Sequence, residues 1–118
     1  MKQSGVKCTD KDLQADLLKE QFAKCQKLLA SIGDETRQAI IIALINPECE
    51  GMRVGKIKEK THLSRPAVSH HLRILLDEEV IGLNRVGTKN FYHLKLGGEW
   101  QNLAKLLNTI ERLRALEE

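Results

Sequence analysis

Apolar side chains recur every three or four positions over residues 12–32, which is the spacing of one face of a helix. Gly33 interrupts this pattern, and Asp34 has the short carboxylate of a helix N-cap for the segment that follows. Residues 39–45 are apolar on nearly every side, which predicts a second helix at the centre of the domain. Asn46-Pro47 ends this second helix, because proline cannot continue it.

Two shorter helices joined by a tight turn are predicted in the middle of the chain. The first is expected at residues 54–60, and residues 61–63 form the turn. Ser64 is a good N-cap and Pro66 fits a first helical turn, so the second short helix begins here. Its two faces differ, the apolar one carrying Val68, Leu72, Leu75 and Leu76 and the polar one Arg65, Ser69, His70 and Arg73.

The hydrophobic period changes from helical to alternating after Glu79, which predicts a two-stranded hairpin. Residues 81–85 and 90–94 form its strands, and Gly87 supplies the positive backbone angle that the turn requires. Gly97-Gly98 separates the hairpin from a last helix with an apolar stripe.

The order of these elements is that of a winged helix-turn-helix domain, in which two short helices and a hairpin are flanked by longer helices. We expect a mainly α fold with a small β-hairpin (α+β), with residues 1–10 as a flexible N-terminal arm and residues 11–118 as a single domain. The helix-turn-helix is expected at about 54–78, the wing at about 81–95 and the C-terminal helix at about 98–116.

The net charge of +3 is unevenly distributed along the chain. Residues 51–96 contain nine basic and four acidic side chains, a net charge of +5, and all four histidines. The segments before and after this block each have a net charge of −1. A basic block of this kind indicates a surface that attracts nucleic acid, although a solvated face without a partner explains the charge alone equally well.

The polar face of the second short helix has the chemistry of a major-groove reader, because a helix fits this groove and its first residues reach base edges. Arg65 can donate two hydrogen bonds to guanine, while Arg73 lies further along and suits a phosphate. The hairpin cations suit the phosphate backbone or the minor groove. The candidates for DNA contact are Ser64, Arg65, Pro66, Ser69, His70, Arg73, Arg85 and Lys89.

Residues 61–94 resemble the DNA-binding half of the ArsR/SmtB family of bacterial and archaeal repressors, and their sequence is THLSRPAVSHHLRILLDEEVIGLNRVGTKNFYHL. The run LSRPAVSHHLRIL resembles the recognition helix, RVGTKNFYHL the wing, and LLASIGDETRQAIIIAL the second helix, in which the family has proline in place of Glu35. The resemblance implies a dimer formed through the first and last helices and an imperfect inverted repeat as operator. It places Arg65, Pro66, Ser69 and His70 at base-reading positions.

The sequence independently offers a surface for a second subunit, because the apolar stripes at both ends of the chain exceed what one small domain needs. The residues expected at this dimer interface are Leu13, Leu17, Phe22, Trp100, Leu103, Leu106, Ile110 and Leu113. The alternative is that both end helices pack only on their own core.

Metal sensing at the usual sites of this family is not expected. The family's cysteine pair falls at Arg53 and Gly55, neither of which ligates a metal, and Lys56 replaces the usual acid. The family's second site lies on the last helix and uses Asp and His, and neither residue occurs after His93. We therefore expect no metal and no cofactor, and the inducer, whether a small molecule or a redox signal, is left open. A zinc site assembled from Cys8, Cys25 or Cys49 across a dimer stays an alternative.

The three cysteines are odd in number and widely spaced, which argues against a disulfide framework and favours a reducing, cytoplasmic location. Cys25 lies on the apolar face of the first helix and is expected to be a small core residue. Cys8 lies in the arm, and Cys49 follows Pro47 in a link, which makes Cys49 the best redox candidate. No apolar stretch reaches membrane-spanning length, and no signal peptide is recognised.

The predicted function is that of a sequence-specific DNA-binding transcriptional regulator, a homodimeric repressor whose partner is double-stranded DNA. Two alternatives stay open: a winged helix used for protein contact without a specific operator, and a DNA-binding dimer that senses no signal. An enzyme is not expected, because the sequence has no Ser-His-Asp or Cys-His set at meaningful spacing and no glycine-rich phosphate loop.

Overall fold

The computed structural model describes residues 10–46 and 51–117. These residues form five helices and a two-stranded hairpin, which confirms the predicted mainly α fold. The elements are α1 (Asp10–Ile32), α2 (Glu35–Leu44), α3 (Val54–Thr61), α4 (Arg65–Asp77), β1 (Ile81–Val86), β2 (Lys89–Leu94) and α5 (Glu99–Glu117). The arm predicted for residues 1–10 lies outside the described residues except for Asp10, which is the first residue of α1.

The core lies where α2, α3 and α4 meet the start of the hairpin and the inner side of α1. Its fully buried side chains are aliphatic, as the aromatic content of only 3% requires. They are Leu28, Ile40, Ile57, Val68, Leu72, Leu75, Val80 and Ile81. Burying one such side chain contributes about 1.5–3 kcal/mol to stability, so this cluster holds the helix-turn-helix in a single arrangement.

Helix α2 is central but not buried on every side, which corrects the sequence prediction. Ile40, Ile41 and Leu44 are buried, whereas Ile42 is 67% exposed and Ile45 is 64% exposed. The helix ends at Leu44, with Ile45 as its C-cap. A domain of this size cannot cover all sides of a helix, and scattered exposed apolar residues are normal on small proteins.

Short-range hydrogen bonds set the boundaries of α3 and α4. Ser64 Oγ accepts a hydrogen bond from the Ala67 amide at 3.2 Å, so α4 has the N-cap that the sequence predicts. Helix α3 ends at Thr61, and its C-cap His62 has a left-handed φ of 60° and donates its amide to the Lys58 carbonyl. The turn of the helix-turn-helix is therefore specified mainly by its own residues.

The strands β1 and β2 pair antiparallel across the two-residue turn Gly87-Thr88. Gly87 has a φ of +63° and Thr88 does not have a positive φ, which is the pattern of a type II′ turn. Lys89, which the sequence analysis placed in the turn, is the first residue of β2 and lies opposite Val86.

A separate pairing ties the base of the hairpin to the segment that enters α3. Met52 and Tyr92 exchange two backbone hydrogen bonds, each 2.8 Å long. Gly51 comes just before this bridge with a φ of +93°, and a Cβ at Gly51 would lie 2.7 Å from the Tyr92 carbonyl oxygen. Only glycine fits this position without strain, so the residue allows the hairpin to approach the helix-turn-helix closely.

Helices α1 and α5 pack against each other and run in opposite directions. Gln21 Oε1 accepts a hydrogen bond from the Thr109 hydroxyl, and Gln14 Oε1 accepts one from Arg112 Nε at 2.9 Å. Cys25 is fully buried, as predicted for a core residue. No described helix is long and apolar enough to cross a membrane.

The end-helix residues predicted at a dimer interface occupy different environments within one chain. Leu106 is only 3% exposed, and Trp100 and Leu103 pack against the core. Leu13 and Phe22 remain exposed, at 55% and 49%, while the others are half-buried, namely Leu17, Ile110 and Leu113. Packing within the single chain thus buries part of the apolar stripe of α5 and leaves apolar side chains of α1 exposed to solvent.

Candidate nucleic-acid interface

One side of α4 is polar and exposed, while the other side is part of the core. The exposed residues at its N-terminus and along its outer face are Ser64, Arg65, Pro66, Ser69, His70 and Arg73. Val68, Leu72 and Leu75 on the inner face are buried. The structure therefore brings the six helix residues singled out from the sequence onto one accessible surface, and their contacts with DNA stay a prediction.

The Arg65 side chain is directed toward α3. Its Nη2 atom lies 3.8 Å from the place that a Cβ on Gly55 would occupy. The contact of this guanidinium with a guanine, expected from the sequence, stays a prediction.

Arg85 and Lys89 are exposed on the hairpin but lie on opposite faces of it. Arg85 is paired with Asn90, and Lys89 with Val86 in the adjacent pair. Side chains of successive residues in a strand alternate between faces, so the two cations point to different sides. The hairpin therefore presents one positive charge on each of its two faces.

Most cations of this surface have no ion-pair partner in the part of the chain that the structure describes. Within residues 10–46 and 51–117, no carboxylate pairs with Arg53, Arg65, Arg73, Arg85 or Lys89. Lys56 does lie 3.6 Å from Glu59, but both groups are exposed and such a pair contributes little. The surface is therefore electrostatically available to a polyanion.

The structure adds three residues that the sequence analysis did not propose as DNA contacts: Arg53, Thr88 and Asn90. They line a cavity of about 390 Å³ together with Val54, Gly55 and Arg65. The cavity lies between the N-terminal ends of α3 and α4 and the hairpin. No local sequence signal identifies it, because its residues come from three separate elements.

His71 lies on α4 beside the exposed face but points toward α2. Its Nδ1 atom is 3.3 Å from Arg37 Nη1, and Arg37 also donates from Nε to the Ser31 carbonyl at 2.6 Å. Arg37 thereby binds a carbonyl at the C-terminal end of α1, where helix carbonyls lack partners. Burial lowers the pKa of His71; the nearby Asp34 carboxylate raises it, whereas Arg37 and then His70 lower it.

The lowered pKa of His71 predicts a loss of stability in mild acid. The unfolded chain takes up a proton as the pH falls below about 6.5, whereas the folded chain resists protonation until its lower pKa is reached. The free energy of unfolding should therefore decrease as the pH falls from about 7 to 5. Urea unfolding across this range should show the decrease in the wild type and a smaller one in His71→Gln. His62→Asn is the control and should keep the wild-type slope, because His62 is exposed and is not among the groups that shift the pKa of His71. Identical slopes for all three proteins would contradict the prediction.

The described residues contain no cluster of three or more His, Cys, Asp or Glu side chains that could hold a metal ion. Burial, and secondarily the Glu99 carboxylate, raises the pKa of the Cys25 thiol, which makes it a poor nucleophile. Cys8 and Cys49 lie outside the described residues, so the redox role considered for Cys49 stays a prediction.

Comparisons of the sequence and of the fold with known proteins both find transcriptional regulators. The chain is 34% identical over 82 residues to the transcriptional repressor SdpR of Bacillus subtilis (strain 168), an alignment that covers 70% of this chain and 88% of SdpR. It is 28% identical to the transcriptional regulator HlyU from Vibrio vulnificus CMCP6, with a TM-score of 0.62 and coverage of 81% and 96%. The transcriptional repressor BigR from Xylella fastidiosa, 20% identical, shares the fold, with a TM-score of 0.64 and coverage of 88% and 97%.

The family model described as "Bacterial regulatory protein, arsR family" matches residues 34–81, from the N-cap of α2 to the first residue of β1. This segment contains the whole helix-turn-helix and its exposed polar face. Together with the extent of the similarity to SdpR, the match shows that the chain belongs to the arsR family of bacterial regulatory proteins.

Proposed function

We propose that this DNA-binding transcriptional regulator is a cytoplasmic homodimeric repressor that binds an inverted-repeat operator. The observation that carries the proposal is the exposed polar face of α4, which lies among cations that have no ion-pair partner in the described part of the chain. Its relatives SdpR and BigR are named transcriptional repressors, which supports repression as the direction of regulation.

In the proposed complex, α4 lies in the major groove. Ser69 and His70 face the base edges, because they are exposed in the first half of the helix, where side chains reach furthest into the groove. Arg73 lies one turn later and contacts a phosphate. Phosphate contacts position the protein, whereas base contacts carry the sequence information.

The hairpin contacts the DNA backbone beside the groove that α4 occupies. Arg85 and Lys89 lie on opposite faces of the hairpin, so one of them can reach a phosphate while the other enters the minor groove. The bridge between Met52 and Tyr92 anchors the base of the hairpin, which limits its position relative to α4.

The proposed dimer joins the outer sides of the two end helices. Phe22 on α1 is 49% exposed and Leu107 on α5 is 52% exposed, and neither belongs to the core of the single chain. A two-fold dimer of this kind presents two copies of α4, which matches an inverted repeat with its half-sites about one helical turn of DNA apart.

Binding to operator and to random duplex across a salt series tests the proposal. The operator is obtained by selecting bound fragments of the source genome. We expect the wild type to prefer the operator, and Ser69→Ala together with His70→Ala to lower that preference at least tenfold. Lys89→Ala should instead weaken both affinities about equally and lower the salt slope by roughly one per contact, because a phosphate contact carries no sequence information. A wild-type protein without operator preference would favour the protein-contact alternative.

A further inference from the structure

The cavity between α3, α4 and the hairpin is lined by two arginines, and the proposed contacts of Ser69 and His70 with bases do not account for them. Its six lining residues are Arg53, Val54, Gly55, Arg65, Thr88 and Asn90, and none of them is acidic. Both arginines are without an ion-pair partner in the described residues. Two guanidinium groups without a carboxylate partner beside one cavity favour the binding of an anion there.

Further hydrogen-bond donors come from the start of α3. Its N-cap is Arg53, whose side chain cannot accept a hydrogen bond and makes no cap contact. The amides of Lys56 and Ile57 bond to the Arg53 carbonyl, while those of Val54 and Gly55 have no acceptor in the described part of the chain. Free amides at a helix N-terminus favour an anion, and they stand here beside the two guanidinium groups.

The hairpin side of the cavity contains a polar group that needs a partner. Asn90 Oδ1 is buried and has no hydrogen-bond partner within residues 10–46 and 51–117. A half-turn of the amide exchanges its oxygen and its NH₂ group, so the side chain can donate to a ligand from the same place. A buried amide oxygen without a partner is costly, and after this half-turn the NH₂ group is a donor for an anion in the cavity that Asn90 lines.

We infer that this cavity is an oxyanion site formed by Arg53, Arg65 and Asn90, and that in the DNA complex its occupant is a backbone phosphate. The inference rests on the proposed function for its second part. It gives Arg65 a phosphate partner in place of the guanine expected from the sequence. A phosphate held between α3, α4 and the hairpin also fixes the wing relative to the recognition helix.

Titration of the free protein with inorganic phosphate tests the site without DNA. At constant ionic strength, set with chloride, we expect the amide resonances of Val54 and Gly55 to shift and saturate. The same titration of Arg53→Ala or Arg65→Ala should show shifts at least tenfold smaller at equal phosphate concentration. Arg114→Ala on α5 is the control and should behave as the wild type, because Arg114 pairs with Glu111 far along the chain from the cavity. Absence of saturable shifts in the wild type would overturn the site.

A matched pair of substitutions at Gly55 tests whether the occupant is a DNA phosphate. Gly55→Asp places a carboxylate in the cavity, whereas Gly55→Asn adds a neutral side chain of nearly the same size. Both are expected to fold, since a Cβ at Gly55 meets only Arg65 at 3.8 Å and an acidic residue suits the first turn of a helix. We expect Gly55→Asp to bind operator and random duplex at least tenfold more weakly than Gly55→Asn, in equal proportion.

The outcomes separate this inference from the proposed function. If the phosphate shifts occur but the two Gly55 variants bind DNA equally well, the cavity takes a free oxyanion and the backbone-phosphate assignment is overturned. If the wild type binds phosphate but no DNA, the proposed function fails and the oxyanion site stands. If Gly55→Asp loses operator preference rather than overall affinity, Arg65 reads a base and the inference is wrong.

Discussion

Phe22→Glu combined with Leu107→Glu is expected to convert the protein into folded monomers that bind the operator at least 100-fold more weakly. Both side chains are about half-exposed and lie outside the core, so their replacement leaves the single domain intact. A charge buried in an apolar interface is costly, and it is repeated by symmetry in the partner. A monomer contacts only one half-site of the operator. It therefore loses the gain in affinity of about 10²–10⁴-fold that binding two half-sites provides.

Light scattering and fluorescence anisotropy measure the two parts of this prediction. Ile42→Glu is the matched control, because Ile42 is a more exposed aliphatic residue on α2, outside both end helices. The control should stay dimeric and keep its affinity. A double variant that remains dimeric at micromolar concentration would place the subunit interface elsewhere, and a wild type that is monomeric would remove the dimer from the proposed function.

Gly51→Ala is expected to lower the free energy of unfolding by about 3 kcal/mol, which corresponds to a decrease in Tm of roughly 10 °C. An L-residue at a φ of +93° is strained by about 1–3 kcal/mol. The added Cβ would also lie 2.7 Å from the Tyr92 carbonyl oxygen, a backbone atom that cannot rotate away. The chain must therefore shift, which disrupts the two hydrogen bonds between Met52 and Tyr92.

Thermal unfolding of this variant should be compared with that of Gly97→Ala. A Cβ at Gly97 meets nothing within 4 Å and its φ is not in the strained region, so this control should stay within about 0.5 kcal/mol of the wild type. Equal midpoints for the two variants would show that the bridge does not contribute to stability. Since the bridge holds the base of the hairpin, Gly51→Ala should also weaken DNA binding in the residual folded protein.

Features encoded within a few neighbouring residues were predictable from the sequence. The cap residues Asp34 and Ser64 act on amides three positions later, and the chain places both helix starts where the sequence predicts them. Gly87 likewise has the positive φ that a hairpin turn requires. The burial of Cys25 followed from helical periodicity, because the apolar face of α1 is the face that meets the core.

Features that depend on tertiary packing were not predictable in the same way. Leu106 and Phe22 both lie on apolar stripes, and only the pairing of α1 with α5 shows that the first is buried and the second exposed. The approach of the Arg65 side chain to Gly55 brings together residues of two different helices, α4 and α3. The opposite placement of Arg85 and Lys89 depends on the two-residue turn Gly87-Thr88, which puts Lys89 in β2 and not in the turn.

Trp100 is the one tryptophan of the chain, and its indole NH is bonded to the Val80 carbonyl at 3.0 Å, just before β1 begins. Indole emission is sensitive to hydrogen bonding and to water, so the intrinsic fluorescence of the protein reports on a single junction. That junction joins α5, which the proposed dimer places at the subunit interface, with β1 of the hairpin. A change in emission maximum on adding DNA or a candidate inducer would therefore show, without any label, that binding alters this junction between α5 and β1.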